Sequence, residues 1–491
     1  MILLTLIVFL LLAGVVAWYS EAYGSHAPKW VAAISLCLAW IPLWPVLFSL
    51  ELNSDQRWLI NEVHDWIPRF NISAHLALDG LSLLLVILTL AMGLVAVLSA
   101  WKEIKKQTGF FYFNILWTLA GVVGVFCALD LFLFFVFWEV MLVPMYLLIA
   151  IWGYENRQYA ALKFFLFTQA GGLLILLSIC ALVLLHYQQS GQLSFDYVDL
   201  LNHSLSKKAS FWIMLGFVIG FAIKLPTIPF HNWLPDAHTQ APTAASVILA
   251  AVLLKTGGYG LIRFVLPLFP DAVQTVAPYV MAIAAISVIY GALMAFSQRD
   301  LKRVVAYSSV SHMGFVLLGC FALNAQAWQG AVMQMLAHGV STSALFALVG
   351  AIQYRYHTRD LNELGGLWQT LPKLSAVGLF FVVASLGMPG LGNFVAEFLV
   401  LVGSFETYPW FTAMAASGLI LAAVYSLMIA QKTFFGSLKL NAAVDFDTRE
   451  TAMMLGMAVI LIVMGLHPQP LIDIAQQTLA HFPSISMGAK P

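Results

Sequence analysis

The sequence predicts an all-α integral membrane protein of about fourteen transmembrane helices, two of them broken, built around two inverted five-helix repeats. Three observations predict it: charge is scarce, apolar runs of membrane length follow one another, and basic residues alternate from loop to loop. Of the 491 residues, 61% are hydrophobic and 9% charged, with a mean hydropathy of +0.89. Soluble domains carry about 25% charged residues. A water-facing surface for a chain this long cannot be built from so little charge, so lipid is the solvent.

Lys+Arg and Asp+Glu both total 23, so no net charge draws the chain to nucleic acid. Cys37, Cys127, Cys180 and Cys320 sit singly in apolar runs without disulfide or metal spacing, and they read as small apolar residues. The opening "MILLTLIVFLLLAGVVAWY" lacks a basic leading segment and reads as a first span, not a cleaved signal.

Runs of about 20 apolar residues suffice to cross a bilayer. The first eight lie near 1–20, 30–50, 75–101, 110–128, 131–152, 160–187, 210–235 and 241–268. Six more follow near 273–296, 302–323, 327–353, 372–403, 408–434 and 451–467. The longest connectors, 51–73, 188–209 and 435–450, leave no room for a soluble catalytic domain. Loops after odd-numbered spans hold thirteen Lys and Arg, from Lys29 to Arg449, against four (Arg57, Arg69, Lys207, Lys208) after even-numbered spans. Basic loops stay cytoplasmic. Both termini are therefore expected on the opposite face, the periplasm of a bacterium.

"ILAAV" at 248–252 recurs at 420–424, an offset of 172, and span 6 lies over span 11 at an offset of 170. Spans 7 and 12 each carry an internal break, "KLPTIP" and "GMPGLGN", with Pro226, Pro229, Pro389 and Gly390. Units five spans apart enter from opposite faces, as in inverted-repeat transporters. The expected division is 1–108 for three N-terminal helices, 109–268 and 269–436 for the two repeats as proton half-channels, and 437–491 for a last helix and tail.

A charge at membrane depth costs a few kcal/mol and is rare unless it works or is paired. Glu139 lies in span 5, Lys224 in span 7, Lys255 in span 8, His312 in span 10, His338 in span 11, and Glu397 after the break in span 12. Titratable groups spread along the membrane plane suit a proton relay; a structural ion pair is the alternative for Glu139, and satisfied hydrogen bonding for the histidines. His231, just after the span 7 break, could serve freed carbonyls or bridge water. Lys163 opens span 6, as a snorkelling cation or a proton inlet, and Glu103 ends span 3. "KEIKK" at 102–106 reads as a topology signal.

"FWEVMLVPMY", "FAIKLPTIPFHNWLPDAHTQAPTAASVILAAVLLKTGGYGLIRF", "AYSSVSHMGF", "QMLAHGVS", "HTRDLNELGGL" and "GMPGLGNFVAEFL" together resemble the antiporter-like membrane subunits of proton-pumping NADH–quinone oxidoreductase, respiratory complex I, over nearly the whole chain. The resemblance implies fourteen helices, two inverted repeats and broken helices 7 and 12. It implies that Glu139 tunes the pump lysine Lys224, that Lys255 connects onward, and that His338 and Glu397 complete a central axis. A glutamate at the position of Glu397 marks the M branch, where sister chains L and N have lysine. "AQKTFFG" at 430–436 departs from the family's usual basic pair, which bears on an interfacial contact.

The resemblance further implies a translocase subunit in a bacterial inner membrane, flanked by chains L and N. FMN, iron–sulfur clusters and quinone are expected in partner subunits. This chain itself shows neither clustered cysteines nor a nucleotide-binding glycine fingerprint. A subunit of a multisubunit cation/proton antiporter, where lysine is expected in place of Glu397, and a non-conducting scaffold are the competing readings.

Overall fold

The computed structural model describes residues 1–48, 57–201, 205–441 and 443–481. The end of the second expected span and the tail from 482 fall outside the described residues. The chain is overwhelmingly helical, and among the described residues twelve helices are long and apolar enough to cross a membrane. In chain order the first six helices are α1 (Ile2–Tyr23), α2 (Ala27–Phe48), α3 (Gly80–Ser99), α4 (Thr108–Cys127), α5 (Leu131–Trp152) and α6 (Arg157–Ser190). The stretch expected as span 7 is a pair around a break, α7 (Lys207–Lys224) and α8 (Trp233–Gln240).

Next come α9 (Thr243–Leu268), α10 (Pro270–Phe296), α11 (Leu301–Phe321) and α12 (Ala325–Tyr356). The stretch expected as span 12 is again a broken pair, α13 (Pro372–Ser385) and α14 (Gly392–Thr407). Then follow α15 (Pro409–Thr433), α16 (Thr448–Leu466) and a short terminal helix, α17 (Gln469–Leu479). At 1.5 Å per residue the 34 residues of α6 run to about 51 Å, longer than the ~30 Å hydrocarbon core, so α6 tilts or projects beyond it.

Short polar side chains start many of these helices by accepting from backbone N–H groups that have no partner inside the helix. Asp130 accepts from Phe132 N at 2.9 Å and Leu133 N at 3.0 Å. Asp300 accepts from Lys302 N at 2.8 Å, and Asn324 from Ala327 N at 2.9 Å. Asp447 and Glu450 form a reciprocal capping box on α16. The third span begins later than its apolar run because residues 60–78 form two short antiparallel ladders, Ile60↔Leu78 to Glu62↔Leu76 and Asp65↔Ser73 to Ile67↔Ile72. Asp79 then caps α3 through Ser82 N at 2.9 Å.

The core is the α9–α11–α12 group. The apolar stretches of α9 and α11 are fully buried and that of α12 is 94% buried, against 39% for α1, α2 and α15 and 28% for α16. The outer helices turn large apolar side chains such as Leu12, Ile34, Ile420 and Leu427 outward. Ionisable residues midway along α9, α11 and α12, such as Lys255, His312 and His338, are therefore shielded by surrounding helices.

One buried charge pair ties α3 to α9. The Arg263 guanidinium is ion-paired with Asp79, and its Nε donates to Tyr259 Oη at 3.2 Å. Tyr259 in turn donates to Phe126 O at 2.9 Å. Both charged side chains are almost wholly inaccessible, so breaking the pair leaves an uncompensated interior charge. Asp79→Ala is expected to destabilise the protein by about 3–5 kcal/mol. Ser82→Ala, which removes two weak contacts at 3.4 Å, to Arg263 and to Tyr259 Oη, should cost about 1 kcal/mol. Thermal denaturation of the purified protein in detergent checks the order.

Candidate functional site: a buried relay of ionisable residues

Lys224 is the last residue of α7. The helix stops there because Pro226 has no N–H and its ring excludes the preceding helical turn. The freed carbonyls are taken up by neighbours. Thr227 N and Oγ1 bond Ala222 O at 3.1 and 3.2 Å, and the Trp233 indole donates to Ile223 O at 2.9 Å. Lys224 is buried, and its Nζ has no hydrogen-bond partner. It rests instead near aromatic faces, 5.3 Å from the centre of Trp138 and 5.6 Å from that of Phe164.

The break therefore does not supply Lys224 with backbone partners. Nor does His231 bond the freed carbonyls: it is buried, both ring nitrogens lack partners, and its ring lies 5.1 Å from that of Tyr290.

Glu139 is half-buried on α5, just before a second interruption. Pro144 cannot donate to Val140 O, and the regular helix of α5 is interrupted at Met141. Glu139 Oε1 is buried and unpartnered over Gly172 of α6, where a Cβ would stand 2.5 Å from that oxygen. No direct ion pair joins Glu139 to Lys224, although each is the charge that acts on the other. The two form a loose electrostatic pair.

Lys255, His338, His312 and Glu397 come together in the core. Lys255 lies on α9 between two π-helical turns, Leu249–Leu253 and Leu261–Val265. Such turns shift the i→i−4 ladder and release a carbonyl; Lys255 Nζ donates to Ala250 O at 2.5 Å. The same Nζ lies 2.7 Å from His338 Nδ1 on α12. The His338 and His312 rings are 5.6 Å apart, edge to face. His312 Nδ1 on α11 lies 3.0 Å from Glu397 Oε1 on α14, and Gln334 Nε2 donates to the same oxygen at 3.3 Å. Tyr425 Oη on α15 lies 3.2 Å from His312 Nε2. Four helices thus hold one line of neighbouring ionisable groups, hydrogen-bonded from Lys255 to His338 and from His312 to Glu397, with the two rings edge to face between them and His338 Nε2 left without a partner.

The break before Glu397 uses glycine. Gly387 at φ +79° and Gly390 at φ +90° occupy left-handed backbone that a side chain would strain. Pro389 lies exposed between them. A Cβ on Gly387 would also stand 2.7 Å from Glu397 Oε2, so the glycine makes room for the carboxylate.

The remaining expected residues lie outside this line. Lys163 is paired with Asp236 at 2.7 Å rather than snorkelling free, and Arg303 approaches the same carboxylate at 3.5 Å. Glu103 accepts from Thr243 N at 3.3 Å and from Tyr154 Oη at 3.1 Å, holding the start of α9. Gln334 and Tyr425 join the line without having been singled out in sequence; neither residue type stands out in an apolar run. Among the described residues no group of three or more His, Cys, Asp and Glu is arranged to hold a metal ion.

Residues 128–423 match the profile of the NADH:quinone oxidoreductase/Mrp antiporter transmembrane family. The chain belongs to this family. It is 48% identical to a relative from Pseudomonas aeruginosa called NADH-quinone oxidoreductase subunit M, over 98% of this chain and 97% of that one. Its fold is similar to a chain of respiratory complex I from Thermus thermophilus with bound NADH, with a TM-score of 0.86, 29% identity and coverage of 97% of this chain and 100% of that chain. A chain of the Mrp complex from Dietzia shares the fold at a TM-score of 0.83 with 20% identity, covering 97% of each.

Tyr425→Phe would leave the buried His312 Nε2 without its partner, at a cost of about 1–3 kcal/mol. A helical substitution with open space at its Cβ, Gly456→Ala, should not destabilise. Comparing the two thermal midpoints separates loss of the hydrogen bond from a general response to substitution.

Proposed function

We propose that the chain is the M-type proton-translocating membrane subunit of a bacterial NADH:quinone oxidoreductase. It carries protons from cytoplasm to periplasm through a buried Glu/Lys/His relay, driven by quinone reduction in other subunits. The observation that carries this reading is the line of neighbouring groups Lys255, His338, His312 and Glu397 in the most buried part of the bundle. Such a line is expensive to bury without a use. Identity of 48% to a relative called subunit M supports the assignment, and so does a glutamate, not a lysine, at position 397.

In this reading Lys224 is the loading group. With no fixed hydrogen-bond partner, its proton affinity answers to Glu139, and a shift of α5 against α7 loads or releases a proton. Lys255 passes the proton to His338, and His312 hands it to Glu397 beside the second break. The twelve long helices and the two broken pairs make fourteen crossings, with 109–268 and 269–436 as inverted half-channels between 1–108 and 437–491. Both termini are periplasmic and the membrane is the bacterial inner membrane. FMN, iron–sulfur clusters and the quinone belong to partner subunits. The outward apolar faces of α1, α2, α15 and α16 suit lipid and flanking chains L and N.

Membership of a family that includes Mrp antiporters favours a second reading, a subunit of a multisubunit cation/proton antiporter. Co-purification with flavin-containing subunits separates the two. In the assembled complex, Glu139→Ala and Lys224→Ala are each expected to lower quinone reduction and proton pumping by about tenfold or more. Full activity in both variants sinks the relay. Gly172→Ala, which crowds Glu139 Oε1, should slow the same rates, while Gly456→Ala leaves them unchanged.

A further inference from the structure

Two fully buried ionisable residues have no part in the relay just described: His238 near the end of α8 and Lys302 in the first turn of α11. The His238 ring lies flat on Phe346, with centres 4.3 Å apart and planes 6° apart, and neither ring nitrogen has a hydrogen-bond partner. A buried imidazole with both nitrogens unused is a cost without a structural return.

Lys302 is drawn inward because Asp300 caps α11 at Lys302 N and turns its own second oxygen to Arg359 at 2.6 Å. The Lys302 ammonium donates to Ala241 O at 2.5 Å and lies 5.1 Å from the centre of the Tyr154 ring. Ala241 precedes Pro242, which ends α8, so its carbonyl is available.

These residues lie between an open polar cavity and the relay. A cavity of about 400 Å³ is lined by Tyr154, Gln240, Arg299, Asp300, His357 and Arg359, next to the Lys302 and Ala241 contact. On the inner side, His238 lies three residues before Ala241 and stacks on Phe346, which stands about two turns along α12 from His338. The order from the cavity inward is therefore Lys302, His238, then Lys255 with His338.

We propose that Lys302 and His238 form a proton-uptake arm that feeds Lys255 from the polar cavity on the face assigned to the cytoplasm. The proposal rests on the proton-pumping reading above. Lys302 Nζ releases a proton through water to one ring nitrogen of His238 and regains one from cavity water. The other ring nitrogen gives its proton, again through water, to a neutral Lys255, so one proton moves inward and no other bond changes. The competing role for Lys302 is to tie down the Ala241 carbonyl and nothing more.

Arginine separates the two roles. Lys302→Arg keeps the charge and a donor for Ala241 O, but a guanidinium does not give up its proton. In assembled enzyme reconstituted into vesicles, the uptake arm predicts that Lys302→Arg and His238→Asn each slow NADH-driven proton pumping and quinone reduction about tenfold. NADH–ferricyanide activity, which reports the flavin-bearing part, should stay unchanged. Wild-type pumping in either variant overturns the arm. Lys224→Ala measured alongside tells the two readings apart: if it loses pumping while the arm variants keep it, only the arm fails, and if all three pump normally the relay itself fails. If Lys302→Arg does not assemble, His238→Asn decides alone, since its ring nitrogens hold no hydrogen bond to lose.

Discussion

The interaction on which this structure turns is the one that Lys224 does not make. An ammonium shut away from water without a carboxylate contact or a hydrogen bond is among the least favourable arrangements a bundle can hold. The surroundings limit that penalty in specific ways. Two aromatic faces lie near the cation, and Glu139 acts on it from a distance. The C-terminal end of α7, where the helix dipole is negative, lies at Lys224 itself. None of these fixes the proton in place. A tight ion pair in the same position would be more stable and would hold its charge permanently.

Interruptions of helical regularity accompany the ionisable residues for the same reason. Pro144 follows Glu139, Pro226 follows Lys224, the Gly387–Gly390 turn precedes Glu397, and π turns bracket Lys255. A regular helix uses up its own backbone polarity, and in lipid only a segment enclosed by protein can leave that polarity free. The uses then diverge. The carbonyl released by the π turn serves Lys255, while those released around Pro226 go to Thr227 and Trp233. Proline next to a charge shows where a helix breaks, but it does not show which group claims the freed carbonyl.

That distinction sets how far the sequence could be read. Spans, breaks and the mid-membrane Glu, Lys and His residues stand out because lipid penalises every departure from apolar helix. The assembly of the line does not stand out. Lys255 meets a histidine 83 residues away, and His312 is joined to a carboxylate 85 residues away by the packing of α11 on α14. Lys302 reads as a loop cation among Arg299 and Arg303 until the Asp300 cap places it inside α11. Arg263 and Asp79 lie near span ends, where charges are ordinary, and only the packing of α3 on α9 reveals that they are buried together. A lone histidine in an apolar run is ambiguous, and the two partners of His312 distinguish it from an ordinary buried histidine.

The two halves of the proposed channel differ in kind. Lys255 to Glu397 is a line in which each side chain has a near neighbour. Glu139 and Lys224 are an open pair whose separation is free to change. At an effective dielectric of about 20, opposite charges attract by roughly 4 kcal/mol at 4 Å and roughly 2 kcal/mol at 8 Å. The difference corresponds to about a thirtyfold change in proton affinity. Only a few ångströms of movement between α5 and α7 are needed, and the interruption at Met141, with Pro144 after it, lies on α5 just beyond Glu139. Energy delivered from outside the chain therefore acts most effectively on that pair. The buried line needs no comparable movement, since its members already lie beside one another.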